Sequence, residues 1–177
     1  AASLKATMAA AATDPGVLDL LRNPFSLTPG FEGPRQPSGA KPMLDDALGL
    51  WVAPFVMAAI NTRNVHRSNY LLGQAYGADF VYDEMLITGA GEKGEAFAKA
   101  VAADKSLGAD DGPKPGEGPS REEREAGFYD VLFLGENAAG DRLRVGVPRD
   151  RDPGYGPTPK MLTEAAVGLL PECTDTA

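Results

Sequence analysis

The fold of this chain is organised around residues 54–76, PFVMAAINTRNVHRSNYLLGQAY. The stretch begins as the most apolar run of the sequence and continues as one of the most polar, with a pattern that predicts a helix throughout. With about 3.6 residues per turn, its polar residues Asn61, Asn64 and Ser68 fall inside the apolar stripe. The apolar members of that stripe are Met57, Ile60, Val65, Leu71 and Leu72. The pattern therefore predicts a central helix with polar groups facing the core.

Polar side chains on the core side of a helix need partners. An unpartnered buried amide or hydroxyl costs roughly 1 to 3 kcal/mol, so these groups must bind backbone, each other or a ligand. On the other side of the helix lie Arg63, His66, Arg67 and Tyr70. Two interpretations stay open at this point. The polar groups either form an internal network that ties the helix to its neighbours, or they line a substrate site.

Composition and charge limit the class of protein. A chain of 177 residues, 43% of them hydrophobic, is long enough for one domain with its own core. The net charge of −8, without a basic block, argues against nucleic-acid binding. One cysteine excludes an internal disulfide, and one histidine excludes a multi-histidine metal site. No apolar run approaches the roughly 20 residues that span a bilayer. We therefore expect a cytoplasmic single domain over residues 1–177, without a metal or a membrane span.

The remaining patterns predict an α+β fold. Two helices are expected at the start, the second capped by Thr13 or Asp14 with Pro15 at its first position. The other predicted elements are an extended crossing at 25–41, a short helical turn at 43–51, an interior strand at 79–89, a helix at 92–107, a mobile linker at 108–127, a hairpin of strands at 128–134 and 142–147, and a last helix at 160–170. This order predicts a mixed or antiparallel sheet covered by helices.

Three segments together resemble a known family. They read PFVMAAINTRNVHRSNYLLGQAYG (54–77), PKPGEGPSREEREAGFYDVLFLGE (113–136) and RDRDPGYGPTPKMLTEAAVGLL (149–170). Their combination and order resemble the C-terminal half of the saccharopine dehydrogenase-like oxidoreductases. Within that family, they resemble particularly the branch that includes trans-acting enoyl reductases of polyketide lipid synthesis. The resemblance covers nearly the whole chain and implies a C-terminal catalytic and dimerisation domain.

The resemblance also implies NAD or NADP as the cofactor of a full-length protein, held by a preceding Rossmann domain. That domain is missing from this chain. Residues 89–94, GAGEKG, match the spacing of a dinucleotide-binding glycine motif and follow a predicted strand. A lone match is weak, because no parallel strand follows within about 30 residues and no ribose-binding acid is placed. We therefore expect no cofactor to bind this chain by itself.

The resemblance further implies roles for individual side chains. Arg63 or Arg67 would hold a carboxylate or thioester oxygen, and His66 or Tyr155 would donate a proton. The loop 152–156 would lie near the mouth of the cleft shared with the cofactor domain. The candidates are Asn61, Arg63, Asn64, Arg67 and Ser68 for substrate binding, His66 and Tyr155 for catalysis, and Gly154 for cofactor binding. Structural alternatives stay open: a solvated or structural histidine at His66, a loop anchor at Tyr155, and a helix N-cap at Thr158.

Two functions of different classes follow. The first is the C-terminal domain of an NAD(P)-dependent oxidoreductase that reduces an unsaturated acyl or polyketide substrate and is inactive as this fragment. Its expected partners are the missing Rossmann domain, an acyl small molecule or carrier-bound substrate, and a second copy in a homodimer paired through the sheet. The second is a stand-alone ligand-binding or protein-interaction module without catalytic activity. An upstream reading frame of about 100 to 200 residues with a glycine-rich turn would favour the first.

Overall fold

The computed structural model describes residues 2–105 and 118–170. The contacts between Cα atoms divide the chain into two compact units, Ala1–Pro115 (unit 1) and Gly116–Ala177 (unit 2). Both units combine helices with a small antiparallel sheet, so the predicted α+β fold is confirmed. The assignment of residues 1–177 to a single substrate-binding and oligomerisation domain stays a prediction.

The described elements divide between the two units as follows. Unit 1 contains α1 (Ala2–Thr13), α2 (Pro15–Arg22), β1 (Met43–Asp45), β2 (Leu50–Pro54), α3 (Ala58–Leu71), β3 (Met85–Gly89) and α4 (Gly91–Ala103). Unit 2 contains α5 (Arg121–Ala126), β4 (Tyr129–Glu136), β5 (Arg142–Arg149) and α6 (Pro157–Gly168). Among these, no helix has both the length and the apolar character needed to cross a membrane.

Several elements form where local signals predict them. Asp14 caps α2 by accepting a hydrogen bond from the Gly16 amide at 2.8 Å, with Pro15 at the first helical position. The predicted hairpin is the β4–β5 pair, in which Val131 faces Val147. The extended crossing at 25–41 contains no helix or strand. The cap and the hairpin were predictable because they depend on partners a few residues apart or on a strong alternation of apolar residues, and the crossing because its prolines and glycines disfavour regular structure.

The predicted helical turn at 43–51 is wrong, because these residues form a β-hairpin. Leu44 faces Trp51 across the β1–β2 pair. The Asp45 carboxylate accepts a hydrogen bond from the Leu48 amide at 2.9 Å, and Gly49 takes the positive φ of 67° that closes the turn. The prediction that the central helix begins at Pro54 is also wrong, since that residue is the last of β2.

The strand predicted at 79–89 is shorter than expected and lies at an edge. Only its second half forms β3, and the sheet order is β1-β2-β3, so β2 is the interior strand. The backbone of the first half bonds to the side chain of Gln36 and not to another strand. The Gln36 amide donates to the Phe80 carbonyl at 3.2 Å and its oxygen accepts from the Tyr82 amide at 2.9 Å. A neighbouring loop therefore takes the hydrogen bonds that a strand partner would have made.

The linker interpretation of residues 108–127 is wrong for α5. Ser120 and Glu123 form a capping box, with the serine hydroxyl accepting from the Glu123 amide at 3.1 Å and the glutamate accepting from the Ser120 amide at 2.7 Å. Residues 108–117 of the predicted linker lie outside the described residues.

In α6, the predicted N-cap is also wrong, because Thr158 lies inside the helix and donates to the Pro153 carbonyl at 2.7 Å.

The central helix α3 buries the opposite face from the one predicted. Its buried residues are Arg63, His66 and Asn69. Ile60 of the apolar stripe is 46% exposed and Leu71 is 66% exposed. Asn64 and Ser68, predicted to face the core, are also exposed. On this buried face, Arg63 donates to carbonyls at the end of α2, and the Asn69 side chain bonds the turn at 74–77.

Candidate functional site

Unit 1 contains an open groove between the end of β2 and the start of α3. Its cavity volume is about 760 Å³, inside the range of roughly 300–1,000 Å³ that small-molecule sites occupy. Its walls are formed by the residues at the end of α2, the Pro- and Gly-rich stretch 32–40, the end of β2 and the start of α3. The lining residues are 21–25, 32–40, 54–55, 58–59, 62–63 and 82–83. Arg63 is the one predicted site residue in this lining.

Three consecutive ionisable residues lie at one wall of the groove: Tyr82 and Asp83 line it, and Glu84 follows them in the chain. The Tyr82 hydroxyl donates to Glu84 Oε1 at 2.8 Å, and the Asn61 amide donates to Glu84 Oε2 at 2.8 Å. Burial, followed by the hydrogen bond and charge of Glu84, raises the pKa of Tyr82 to about 12. Burial also raises the pKa of Asp83 above its ordinary value. Two groups that retain their protons more strongly than in water therefore face the groove side by side.

Sequence reasoning missed this cluster. The signal was present in DFVYDEMLITG, where three ionisable residues interrupt an otherwise apolar run. A strand prediction placed them on alternate faces, whereas the structure holds residues 79–84 outside any strand. Of the predicted substrate-binding residues, Asn61 joins the cluster through Glu84.

Arg63 caps the C-terminal end of α2. Its Nε donates to the Leu20 carbonyl at 3.3 Å, and its Nη2 donates to the Leu21 carbonyl. The last four carbonyls of a helix have no partner inside the helix, and the helix dipole places negative partial charge there. A buried guanidinium at this position therefore meets both needs. Burial lowers the pKa of Arg63 from its ordinary value of 12.5.

Arg67 and Tyr70 anchor the next loop along. Arg67 Nη1 donates to the Leu27 carbonyl at 2.9 Å, and the Tyr70 hydroxyl donates to the Pro29 carbonyl at 3.0 Å. The Arg67 guanidinium also lies 5.7 Å from the Tyr70 ring centre. These contacts, with those of Arg63, are those of an internal network that ties α3 to its neighbours. Substrate roles for Arg63, Arg67, Asn64 and Ser68 stay predictions.

His66 is buried in an aromatic cluster. Only 3% of its surface is exposed. The centre of its ring lies 4.7 Å from the ring centre of Phe25 and 5.9 Å from that of Phe80. Within the described part of the chain, His66 Nε2 has no hydrogen-bond partner. Burial lowers the pKa of His66, which favours the neutral ring. His66 is not among the residues that line the groove, and its catalytic role stays a prediction.

Replacing His66 by phenylalanine is expected to make the protein less sensitive to acid. The folded-state pKa of His66 is below the unfolded value near 6.5, so the unfolded state takes up the proton first. Stability is therefore lost as the pH falls through the unfolded pKa. Urea unfolding between pH 7.5 and 5 should show a smaller loss of stability for H66F than for the wild type. An unchanged pH dependence would contradict the burial argument.

Tyr155 and Gly154 lie in unit 2, whereas His66 lies in unit 1. The Asp152 carboxylate accepts from the Gly154 amide at 2.9 Å and from the Tyr155 amide at 2.8 Å. The Asp152 side chain therefore anchors the backbone of this loop, and the alternative of Tyr155 as the loop anchor stays a prediction. The Tyr155 side chain is 55% exposed and lines a recess of unit 2. Catalytic and cofactor roles for these two residues stay predictions.

The glycine motif at 89–94 forms a strand–turn–helix without fitting a dinucleotide. Gly89 and Gly91 take positive φ angles of 114° and 60° between β3 and α4. However, β3 pairs antiparallel with β2, and no parallel strand pair occurs within the described residues. Glu92 also places a carboxylate in the first turn of α4, where a pyrophosphate would sit. The described ranges also contain no cluster of three His, Cys, Asp or Glu side chains able to hold a metal ion.

Comparison with known proteins identifies relatives that are similar in sequence. No family model and no solved structure matches the chain. A Mycobacterium tuberculosis protein that carries the provisional name of trans-acting enoyl reductase is 32% identical over 193 residues. Proteins named trans-acting enoyl reductase from Mycobacterium bovis and Mycobacterium ulcerans are both 29% identical. Each match covers 95% of this chain and 46% of the relative, so the chain spans about half the length of these proteins. Over almost its whole length, the chain is therefore similar to part of the proteins named trans-acting enoyl reductases.

Proposed function

We propose that this chain is the substrate-binding part of an oxidoreductase that reduces a carbon–carbon double bond in an unsaturated acyl or polyketide thioester. The observation that carries the proposal is the similarity to proteins named trans-acting enoyl reductases across 95% of the chain. The finer placement among saccharopine dehydrogenase-like oxidoreductases rests on the three sequence segments and belongs to the same proposal. The relatives are named trans-acting enoyl reductases, which supports a substrate that is bound to a carrier and delivered by a partner synthase.

The groove of unit 1 is the site that we assign to the acyl substrate. Its volume of about 760 Å³ suits an acyl chain with its thioester. Reduction of a double bond conjugated to a thioester consumes a hydride and a proton, and negative charge develops on the thioester oxygen. Asp83 holds its proton to a higher pH than a solvated aspartate, because burial raises its pKa. We assign Asp83 as the proton donor, because the single proton of the Tyr82 hydroxyl is already donated to Glu84 Oε1.

NAD or NADP supplies the hydride in this proposal. The described residues do not fit a dinucleotide, so we place the cofactor on a Rossmann domain of a longer protein. The relatives are about twice as long as the match, which supports that placement. The proposal keeps His66 and Tyr155 as alternative proton donors and Arg63 and Arg67 as alternative holders of the acyl oxygen. It also keeps a homodimer paired through a sheet.

Replacing Asp83 by asparagine is expected to reduce kcat by roughly 100-fold or more. Asparagine keeps the oxygen that accepts from the Glu84 amide at 2.9 Å but holds no acidic proton. The assay uses the protein extended upstream by its cofactor domain and follows oxidation of NADPH or NADH with unsaturated acyl thioesters. D79N is the matched control, since Asp79 is exposed and does not line the groove.

Two results would contradict this assignment. Wild-type activity in D83N would remove Asp83 from the reaction, and loss of activity in H66F or in a Tyr155→Phe variant would move the proton donor there. An extended protein that oxidises neither cofactor with any thioester would contradict the reductase proposal itself. The alternative function, a binding module without catalysis, is favoured by one observation: the groove is complete within unit 1.

A further inference from the structure

A recess in unit 2 collects three arginines. Its volume is about 320 Å³, and its lining residues are Arg121, Arg124, Glu125, Arg151, Tyr155 and Gly156. The arginines come from α5 and from the loop after β5, so two separate stretches of chain bring them together. The recess is not part of the groove assigned to the acyl substrate.

The two stretches are held together by their backbones. The Asp152 amide donates to the Arg124 carbonyl at 3.1 Å. A Cβ atom at Gly127 would lie 2.8 Å from the Asp152 amide nitrogen, so only glycine permits this approach. Arg124 and Arg151 are therefore carried by a framework whose spacing is set before any ligand arrives.

The charges of the recess are not balanced. Glu125 pairs with Arg121, with 2.9 Å between Oε1 and Nε. The Asp152 carboxylate next to the recess is directed at the Gly154 and Tyr155 amides of its own loop. Within residues 2–105 and 118–170, no carboxylate pairs with Arg124 or Arg151. Three guanidinium groups against the carboxylates of Glu125 and Asp152 leave one positive charge, in a chain whose net charge is −8.

We propose that this recess binds a phosphate ester. Guanidinium groups bind phosphate oxygens through paired N–H donors, and Arg124 and Arg151 offer two such groups that pair with no carboxylate of the described residues. The Tyr155 hydroxyl adds one neutral donor at the edge of the recess. The same chemistry occurs in a terminal phosphate monoester and in an internal pyrophosphate, which the experiment separates. The proposal does not depend on the reduction assigned to unit 1.

The test is calorimetric titration of the 177-residue chain with inorganic phosphate, coenzyme A and dephospho-coenzyme A at low salt. We expect R124Q and R151Q each to weaken binding roughly tenfold or more. The matched control is R142Q, because Arg142 lies on the β4–β5 hairpin and already pairs with Glu136 at 2.6 Å. Binding by R142Q should equal that of the wild type. Added sodium chloride should weaken binding by the wild type, since the contact is electrostatic.

The ligand series identifies the source of the phosphate. Preference for coenzyme A over dephospho-coenzyme A assigns the recess to a terminal monoester, and equal affinity assigns it to the pyrophosphate; either result supports the proposal. Absence of binding to all three compounds overturns it, as does equal affinity in the wild type and both recess variants. Circular dichroism of each variant checks folding, and R151K preserves the charge, so it should retain more affinity than R151Q.

Discussion

Replacing Gly94 by alanine is expected to lower the free energy of unfolding by about 3 kcal/mol. A Cβ atom at this position would lie 2.2 Å from the Gly89 carbonyl oxygen and 2.4 Å from its carbon. Both neighbours are backbone, so neither can rotate away. The helix α4 would have to move off the end of β3, where Gly94 and Ala98 are its buried residues. The roughly 1 kcal/mol by which alanine favours a helix over glycine does not offset this clash.

Urea unfolding of G94A measures this cost, and G168A is the control. Gly168 is also helical, in α6, but a Cβ atom there meets nothing within 4 Å. G168A should therefore be neutral or slightly stabilising. Equal stability of G94A and the wild type would show that α4 does not pack on β3 as closely as the structure places it.

Replacing Arg63 by methionine is expected to lower the free energy of unfolding by about 3 kcal/mol. The variant would leave the Leu20 and Leu21 carbonyls without their donors at the C-terminal end of α2. Each hydrogen bond to a charged group contributes about 1.5–3 kcal/mol, and burial of an unpartnered carbonyl adds to the loss. Methionine fills similar volume, so the effect reports mainly the lost hydrogen bonds and charge.

Arg67 provides a matched control on the same helix. Its guanidinium makes one hydrogen bond, to the Leu27 carbonyl at 2.9 Å, at an exposed position. R67M should therefore cost about 1 kcal/mol or less. Chemical denaturation of both variants gives the comparison, and an R63M cost no larger than that of R67M would contradict the capping role. In the extended enzyme, a raised KM for R63M without a loss of stability would instead support the substrate role.

Local signals predicted much of the secondary structure. The Asp14–Pro15 start of α2, the hairpin of unit 2 and the position of α4 all follow from residues a few positions apart. The capping box at Ser120 and Glu123 was equally visible, but the surrounding glycines and prolines favoured a linker interpretation. The errors at β1 and β2 arose because the turn between these strands is marked by only two residues, Asp45 and Gly49, and the rest of the segment did not distinguish a hairpin from a helical turn.

The candidate site was less predictable than the elements that form it. The polar half of α3 contacts residues 20–29 through Arg63, Arg67 and Tyr70, whereas Asn64 and Ser68 on its other side are exposed. The groove itself is built from stretches that are far apart in sequence, such as 32–40 and 82–83. The raised pKa values of Tyr82 and Asp83 come chiefly from burial, which a sequence pattern does not measure.

The sequence by itself determined the α2 and α4 helices and the β4–β5 hairpin, whose signals lie within a few residues, together with the likeness to trans-acting enoyl reductases. Only the tertiary structure decided which face of α3 is buried. Apolar periodicity favoured the stripe of Ile60 and Leu71, but both are exposed. The buried face is set by Arg63 and Tyr70, whose carbonyl partners lie 41 to 43 residues away in the chain. No local pattern encodes such partners, because the gain from satisfying distant carbonyls appears only after the chain has folded back on itself.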